Sequence, residues 1–197
     1  TWAICDMRAP GITVRPIENL AGTSHFCEVI YDDVSIPLDN VVGVPGQGWS
    51  VAMTTLGFER GTAAVALQLA LLRKIETLRE AARTSGRAAE SALMQRIAIA
   101  RAEALAIRAL TYETAFGTAE TPFEASIVRL VFAELAQRVH RIAMDVYGAQ
   151  SIDFALAEPW VEDYLESFSE TIAGGTAEIQ RNIIGERLLG LPRHARP

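Results

Sequence analysis

The sequence contains a single lysine, two cysteines and no dense cluster of basic residues. Its 18 Lys and Arg residues are outnumbered by 24 Asp and Glu residues, which gives a formal net charge of -6. Proteins that bind nucleic acids normally carry a basic patch or stripe, so no nucleic-acid partner is expected. Cys5 and Cys27 form no C-x-x-C pair, and we expect no disulfide framework.

Long hydrophobic runs are also missing. Charged residues interrupt every apolar stretch well before it reaches bilayer-spanning length, and the first residues lack the basic start and apolar core of a signal peptide. Half of the 197 residues are nevertheless hydrophobic and 21% are charged, which excludes a disordered chain. These features predict a soluble, cytoplasmic protein with a sizeable core and no membrane association.

The residues needed for several common chemistries are absent or badly spaced. His25, His140 and His194 are far apart and form no H-x-x-x-H or H-E-x-x-H pattern, so they are interpreted as surface or polar-network residues and no metal site is expected. There is no G-x-S-x-G nucleophile elbow. The glycines at 43–48 lack the dinucleotide fingerprint spacing and predict a tight turn.

The chain changes character near residue 45. Before it lie three short β-prone runs, at residues 2–5, 12–14 and 26–34, which are too few to bury a core. After it, long amphipathic segments joined by short breaks favour an antiparallel bundle. The predicted fold class is therefore mainly α, an up-and-down helical bundle (residues 45–197) preceded by the trailing strands of an incomplete β domain (residues 1–44).

Apolar residues repeat at helical spacing in the three longest predicted helices, at about 49–83, 90–116 and up to Tyr147, where Gly148 ends the third. Two further helices are predicted, at about 158–168 and from the Gly174-Gly175-Thr176 sequence to near Gly190. The stripes predicted to face the core are Leu71, Ile75, Leu78 and Ala82; Leu93, Ile97, Ala100, Ala104 and Ile107; and Ile127, Val131, Leu135, Val139 and Ile142.

The first long helix contains Glu59 and Arg60 in an apolar stretch flanked by glycines. One interpretation is a solvated ion pair. The other is a carboxylate that its apolar neighbours partly desolvate, which raises its pKa and makes it a general base. The local sequence leaves both open.

The second notable segment is 172–181, in which two glycines expose bare backbone before a helix and Thr176 is a candidate N-cap. Its backbone N–H groups could polarise a carbonyl or meet a phosphate. The same residues are equally typical of an ordinary loop followed by a helix cap.

Four segments, at 26–37, 42–49, 56–60 and 172–193, resemble the C-terminal portion of an acyl-CoA dehydrogenase and occur in the family's order. The resemblance implies α,β-desaturation of an acyl-CoA thioester, in which a glutamate removes the α proton and a hydride passes to FAD. The family base often precedes the Gly-Thr of the last motif, but Gly174 stands there. In other members the base precedes an arginine of the first long helix, which corresponds to Glu59 followed by Arg60.

The resemblance also implies roles for the neighbours of these residues. The Gly174 N–H would help to hold the thioester carbonyl, because the enolate charge needs a donor in a water-poor site. Arg60 and Ala173 are expected at the substrate. Gly175, Thr176 and Glu178 are expected at the FAD, although an acid also suits the first turn of a helix.

Two family motifs for the FAD of a neighbouring subunit are altered. Where Arg-x-x-Phe-Gly is usual, the sequence has Arg83 displaced by one position and Ser85 in place of phenylalanine. Where Gln-x-x-Gly-Gly is usual, it has Asp145 three residues before Gly148. Arg83 and Gly148 remain the expected cofactor contacts, but a carboxylate near a pyrophosphate is repulsive.

Three functional interpretations follow. The first is an acyl-CoA dehydrogenase that passes electrons to an electron-transferring flavoprotein and forms dimers or tetramers through its helical domains. The second is a non-catalytic partner subunit of a heteromeric dehydrogenase, and the third is a flavin oxidase or monooxygenase. The chain alone, without the missing family domains, is expected to bind FAD weakly or not at all and to be inactive. The sequence does not indicate which acyl group the substrate carries.

Overall fold

A computed structural model describes residues 1–116, 123–157 and 159–192, except for the side chains of residues 57–64. The chain forms two compact units, Thr1–Glu59 and Arg60–Pro197. The predicted boundary at residue 45 follows the change from strands to helix and stays a prediction.

The first unit contains two antiparallel strand pairs. Strand β1 (Trp2–Ala3) pairs with β4 (Val41–Val42), and β2 (Ile12–Ile17) pairs with β3 (Phe26–Tyr31). The two-residue strand β4 was not predicted, because so short a run carries no periodicity. No residue of the β2–β3 hairpin is buried.

Helices make up most of the remainder of the described residues, and the mainly helical fold class is confirmed. The helices are α1 (Gly48–Thr84), α2 (Ser91–Phe116), α3 (Ala125–Tyr147), α4 (Phe154–Ala157), α5 (Trp160–Glu166) and α6 (Ala177–Ile183). A 3-10 helix over Ser167–Thr171 follows α5, and a π-helical turn over Ile184–Leu188 follows α6. The predicted helix over 158–168 is thus two elements.

The core of the second unit lies between α1, α2 and α3. All predicted stripe residues of α1 and α2 are buried. In α3, Leu135, Val139 and Ile142 are buried as predicted, and Val131 is partly buried against the core. Val128 and Phe132 are more deeply buried than the predicted Ile127 and Val131. From Ile127 to Val139 the predicted stripe repeated every four residues, and in a helix of 3.6 residues per turn such a row drifts away from one face.

No helix among the described residues is long and apolar enough to cross a membrane. Within the same residues no group of three or more His, Cys, Asp or Glu side chains is arranged to hold a metal ion.

Candidate functional site: the glycine turn before the last helix

The turn before α6 depends on two consecutive glycines in the left-handed region. Gly174 has φ +66° and Gly175 has φ +98°, conformations that residues with a Cβ rarely adopt. The next residue, Thr176, accepts a hydrogen bond from the Ile179 N–H at 3.3 Å, so the predicted N-cap is confirmed. The sequence therefore places a bare backbone edge directly before a capped helix.

Gln180 closes this turn from the inside. Its buried side-chain amide donates to the Gly174 carbonyl at 3.0 Å and to the Gly175 carbonyl at 3.3 Å. A Cβ added at Gly175 would lie 2.6 Å from the Nε2 of Gln180. The amide can take this place only because position 175 is glycine.

Arg129 of α3 holds the other side of the turn. Its Nη2 donates to the carbonyl oxygens of Glu170 at 2.6 Å and Ala173 at 2.7 Å, and its Nη1 to the Glu170 carboxylate at 2.8 Å. A Cβ at Gly174 would lie 3.3 Å from the Nε of Arg129. The sequence did not indicate this contact, because 44 residues separate Arg129 and Ala173.

Two more contacts tie α3 to the segment around the turn. The Gln137 amide donates to the Thr171 hydroxyl at 3.2 Å, and Arg181 of α6 is paired with Glu134. The turn is therefore anchored on both its N-terminal and its C-terminal side.

The Gly174 N–H remains available at this anchored turn. Gly174 is exposed, and none of the residues that the structure describes accepts a hydrogen bond from its N–H. Ala173 beside it is also exposed, whereas Gly175 and Thr176 are half-buried. An unpaired N–H on an exposed residue of an anchored turn can donate to a bound carbonyl oxygen.

Glu178 lies exposed at the start of α6. Hydrogen bonds from its own backbone N–H and from the Thr176 hydroxyl lower the pKa of its carboxyl group, and the nearby charge of Arg181 lowers it further. Glu178 is therefore held as a carboxylate. It suits the role of a hydrogen-bond acceptor better than that of an acid.

Glu59 and Arg60 belong to the backbone of α1, and their side chains lie outside the described residues. The candidate base therefore stays a prediction from the sequence.

The two predicted contacts to a neighbouring subunit's FAD lie in different surroundings. Arg83 is exposed at the end of α1 and contacts Glu80 at 3.6 Å. Gly148 ends α3 and lines an open cavity of about 610 Å³. Among the described residues, the basic side chains that line this cavity are Arg87 and Arg96. Neither arginine was predicted from the sequence to lie at the site.

Carboxylates already neutralise these two arginines. Arg87 binds Glu90 through two hydrogen bonds of 2.6 and 2.9 Å and also donates to the carbonyl oxygen of Asp145. Arg96 lies 2.7 Å from the Asp145 carboxylate. The hydrogen bond from Arg87 lowers the pKa of Glu90, so this acid stays ionised. A diphosphate would have to displace both acids, and the cavity as folded does not fit that part of FAD. At the turn before α6, by contrast, the Gly174 N–H has no acceptor among the described residues and can donate to a bound polar group.

A second polar cluster, formed by Lys74, His140 and Asp163, lines a cavity of about 170 Å³ in the bundle. Lys74 lies 2.8 Å from Asp163 and 3.4 Å from the Nε2 of His140. His140 is 6% exposed, and its Nδ1 has no hydrogen-bond partner in the described part of the chain. Burial, and then the charge of Lys74, lower the pKa of His140.

Comparison with known proteins identifies the family. Residues 46–189 match the model of the acyl-CoA dehydrogenase C-terminal domain, and the chain belongs to the acyl-CoA dehydrogenase family. It is 38% identical to acyl-CoA dehydrogenase IpdE1 of Mycobacterium tuberculosis, over all of this chain and 52% of that protein. It is 31% identical to the human mitochondrial short-chain specific acyl-CoA dehydrogenase, over 93% of this chain and 46% of that protein.

A solved structure shows the same fold. The ChsE4-ChsE5 complex of Mycobacterium tuberculosis matches with a TM-score of 0.81 and 27% identity, over 98% of this chain and 52% of that one. The chain thus spans about half the length of the IpdE1 and ChsE4-ChsE5 chains. The family resemblance read from the sequence is confirmed.

Proposed function

We propose that the protein to which this chain belongs is an FAD-dependent acyl-CoA dehydrogenase that desaturates an acyl-CoA thioester between its α and β carbons. The observation that carries the proposal is the exposed Gly174 N–H, which the described residues leave without an acceptor on an anchored turn. Removal of an α proton places negative charge on the thioester oxygen. A preorganised donor of this kind is worth roughly 3 kcal/mol in the transition state.

Glu59 is the proposed base. Position 174 has no side chain, and the hydrogen bonds that lower the pKa of Glu178 make its carboxylate a weaker base. A base on α1 is the remaining assignment that the family resemblance offers. Arg60, next to it, and Ala173, next to the donor, complete the proposed substrate contacts.

FAD is the proposed cofactor, and when bound it supplies the acceptor for the β hydride. Gly175, Thr176 and Glu178 are the residues of this chain that would hold it. Arg83 and Gly148 remain the sequence-based proposals for a neighbouring subunit's FAD, but the paired arginines beside Gly148 argue against a diphosphate there.

The proposed base is tested in the full-length protein with Glu59→Gln. The wild type should lose its flavin absorbance when acyl-CoA is added without oxygen, and the variant should keep bound FAD but not be bleached. Glu80→Gln, in the same helix and exposed, is the matched control and should bleach normally. Bleaching of Glu59→Gln at the wild-type rate would refute the role of Glu59.

The acceptor is tested in the same preparation. A dehydrogenase should pass its electrons to an electron-transferring flavoprotein and react slowly with oxygen. Rapid turnover with oxygen alone would indicate an oxidase or monooxygenase.

A second candidate function is a non-catalytic subunit that pairs with a different chain. The ion pairs of Arg87 and Arg96 favour it, because they leave no unpaired guanidinium for a diphosphate in this cavity. A complex of two named chains is also among the structures with this fold. The number of FAD molecules bound per chain decides between the dehydrogenase and the non-catalytic subunit. A full complement of FAD excludes the non-catalytic role.

The protein is also proposed to be cytoplasmic and to form oligomers through its helical domain. The outer side of α2 exposes Ile99, Leu105 and Leu110, which are 39–49% exposed, with alanines between them on the same face. The charged neighbours Arg101 and Glu103 turn inward to Glu76 and Arg138 and leave the apolar face uncovered. Leu105→Glu should reduce the mass measured by sedimentation, whereas an unchanged mass would refute this interface.

A further inference from the structure

One side chain determines the orientation of the peptide group that carries the proposed donor. The carbonyl of Ala173 and the N–H of Gly174 belong to the same planar peptide unit, in which they point in opposite directions. Arg129 donates to that carbonyl at 2.7 Å. Fixing the carbonyl end therefore fixes the direction of the N–H at the other end.

We infer that Arg129 is a positioning residue that aims and polarises the Gly174 N–H toward the thioester carbonyl. The inference rests on the proposed function. A cationic donor at the carbonyl draws electron density through the peptide unit, which strengthens the N–H as a donor. Because the hydrogen bond exists before substrate arrives, no reorganisation is needed when the enolate charge develops.

The contacts of Arg129 within the fold suit this role. Its side chain is 22% exposed, and its Nη2 is shared between the carbonyls of Glu170 and Ala173. The Glu170 carboxylate at 2.8 Å balances its charge. The arginine is thus satisfied by groups of its own chain, and it acts on the turn through them.

Gly174 provides the space for this arrangement. A Cβ at this position would lie 3.3 Å from the Nε of Arg129, in a backbone conformation of φ +66° that favours glycine. The absent side chain and the arginine are therefore two parts of one arrangement. Gln180 acts in the same way on the next peptide unit, because it donates to the Gly174 carbonyl.

The test compares Arg129→Lys and Arg129→Gln with the wild type in the full-length protein. Lysine keeps the charge and can reach one carbonyl, but it lacks the planar fork that holds two. We expect kcat to fall roughly tenfold to a hundredfold in Arg129→Gln with a much smaller change in KM. Arg129→Lys should recover part of that loss.

A second readout separates positioning from general stability. A 3-thia-acyl-CoA can lose its α proton but cannot be desaturated, so its pKa on the enzyme measures how well the carbonyl charge is stabilised. That pKa should rise in both Arg129 variants. Arg138→Gln, which breaks the exposed pair with Glu103 on the same helix, is the matched control and should leave it unchanged.

The possible outcomes distinguish the two proposals. If the wild type neither desaturates an acyl-CoA nor deprotonates the analogue, the proposed function has failed. If the wild type does both and the folded Arg129→Lys variant keeps the wild-type kcat and analogue pKa, the positioning role is refuted. Loss of kcat only in proportion to lost folded protein, with an unchanged analogue pKa, also refutes it.

Discussion

The Nε2 of His140 lies 3.4 Å from the ammonium group of Lys74 inside the helical unit. Two cations at this distance would repel each other in a buried site, and the nearby Asp163, 2.8 Å from Lys74, offsets only part of that repulsion. The imidazole is therefore the member of the pair that gives up its proton, with its Nε2 accepting from Lys74. This relationship makes the stability of the bundle depend on pH.

The first prediction concerns that dependence. Burial and Lys74 lower the pKa of His140 below its ordinary value of 6.5, against the opposing influence of Asp163, Glu170 and the Ala136 backbone. Between the folded and the unfolded pKa, only the unfolded chain binds the proton. The free energy of unfolding should therefore fall as the pH drops from 6.5 toward the folded pKa.

His140→Gln should remove this part of the pH dependence. Urea unfolding at a series of pH values measures it. An identical slope in His140→Gln and wild type would contradict the prediction.

The second prediction concerns the loss of the positive charge of Lys74. Lys74→Met leaves the Asp163 carboxylate, which is 22% exposed, without its ion-pair partner. We expect a loss of about 1–2 kcal/mol in the free energy of unfolding, less than for a fully buried pair because both groups retain some solvent. The pKa of His140, followed by NMR, should rise.

Arg83→Met is the matched control for Lys74→Met, since it breaks the exposed pair with Glu80. It should change stability by less than about 0.5 kcal/mol. Equal losses in the two variants would show that the position of Lys74 in the cluster has no special effect.

The third prediction compares two glycines whose φ angles are both positive. Gly175→Ala is strained by φ +98° and also brings Cβ to 2.6 Å from the Gln180 amide. Gly86→Ala has φ +77° and nothing within 4 Å. The control should lose about 1 kcal/mol of unfolding free energy, and Gly175→Ala should lose clearly more.

The double variant Gly175→Ala with Gln180→Ala identifies the cause of that extra loss. If the clash with the amide is responsible, the two effects will not add, because removing the amide opens space for the methyl group. Additive losses would point to the backbone alone.

Local pattern was enough to predict the helical architecture and the cap at Thr176, but not the contacts that support the site. The stripe from Leu71 to Ala82 and the glycine turn are encoded within a few residues. The contact of Arg129 with Ala173 joins residues 44 apart, and that of Arg87 with Asp145 joins residues 58 apart. Periodicity contains no information about which arginine reaches across a bundle.

The fourth prediction concerns the core. Leu135 of α3 is completely buried, and Leu135→Ala should cost about 2–5 kcal/mol of unfolding free energy through lost contacts and the cavity left behind. Leu156→Ala, at a leucine that is 61% exposed, should cost less than about 0.5 kcal/mol. Thermal unfolding followed by circular dichroism compares the two. Similar losses would contradict the assignment of α3 to the centre of the bundle.

The fifth prediction concerns two substitutions that should allow the cavity beside Gly148 to bind a phosphate group. Asp145→Asn removes the carboxylate that lies 2.7 Å from Arg96, and Glu90→Gln removes the one that binds Arg87. The double variant leaves two guanidiniums without counter-charges beside Gly148, and such groups bind phosphate oxygens in pairs. ADP binding measured by calorimetry should therefore be stronger in the double variant than in the wild type, and it should weaken with added salt because the attraction is electrostatic.

The exposed pair variant Glu80→Gln should bind ADP no better than the wild type. If the wild type binds ADP as tightly as the double variant at the same salt concentration, then Glu90 and Asp145 do not block the cavity.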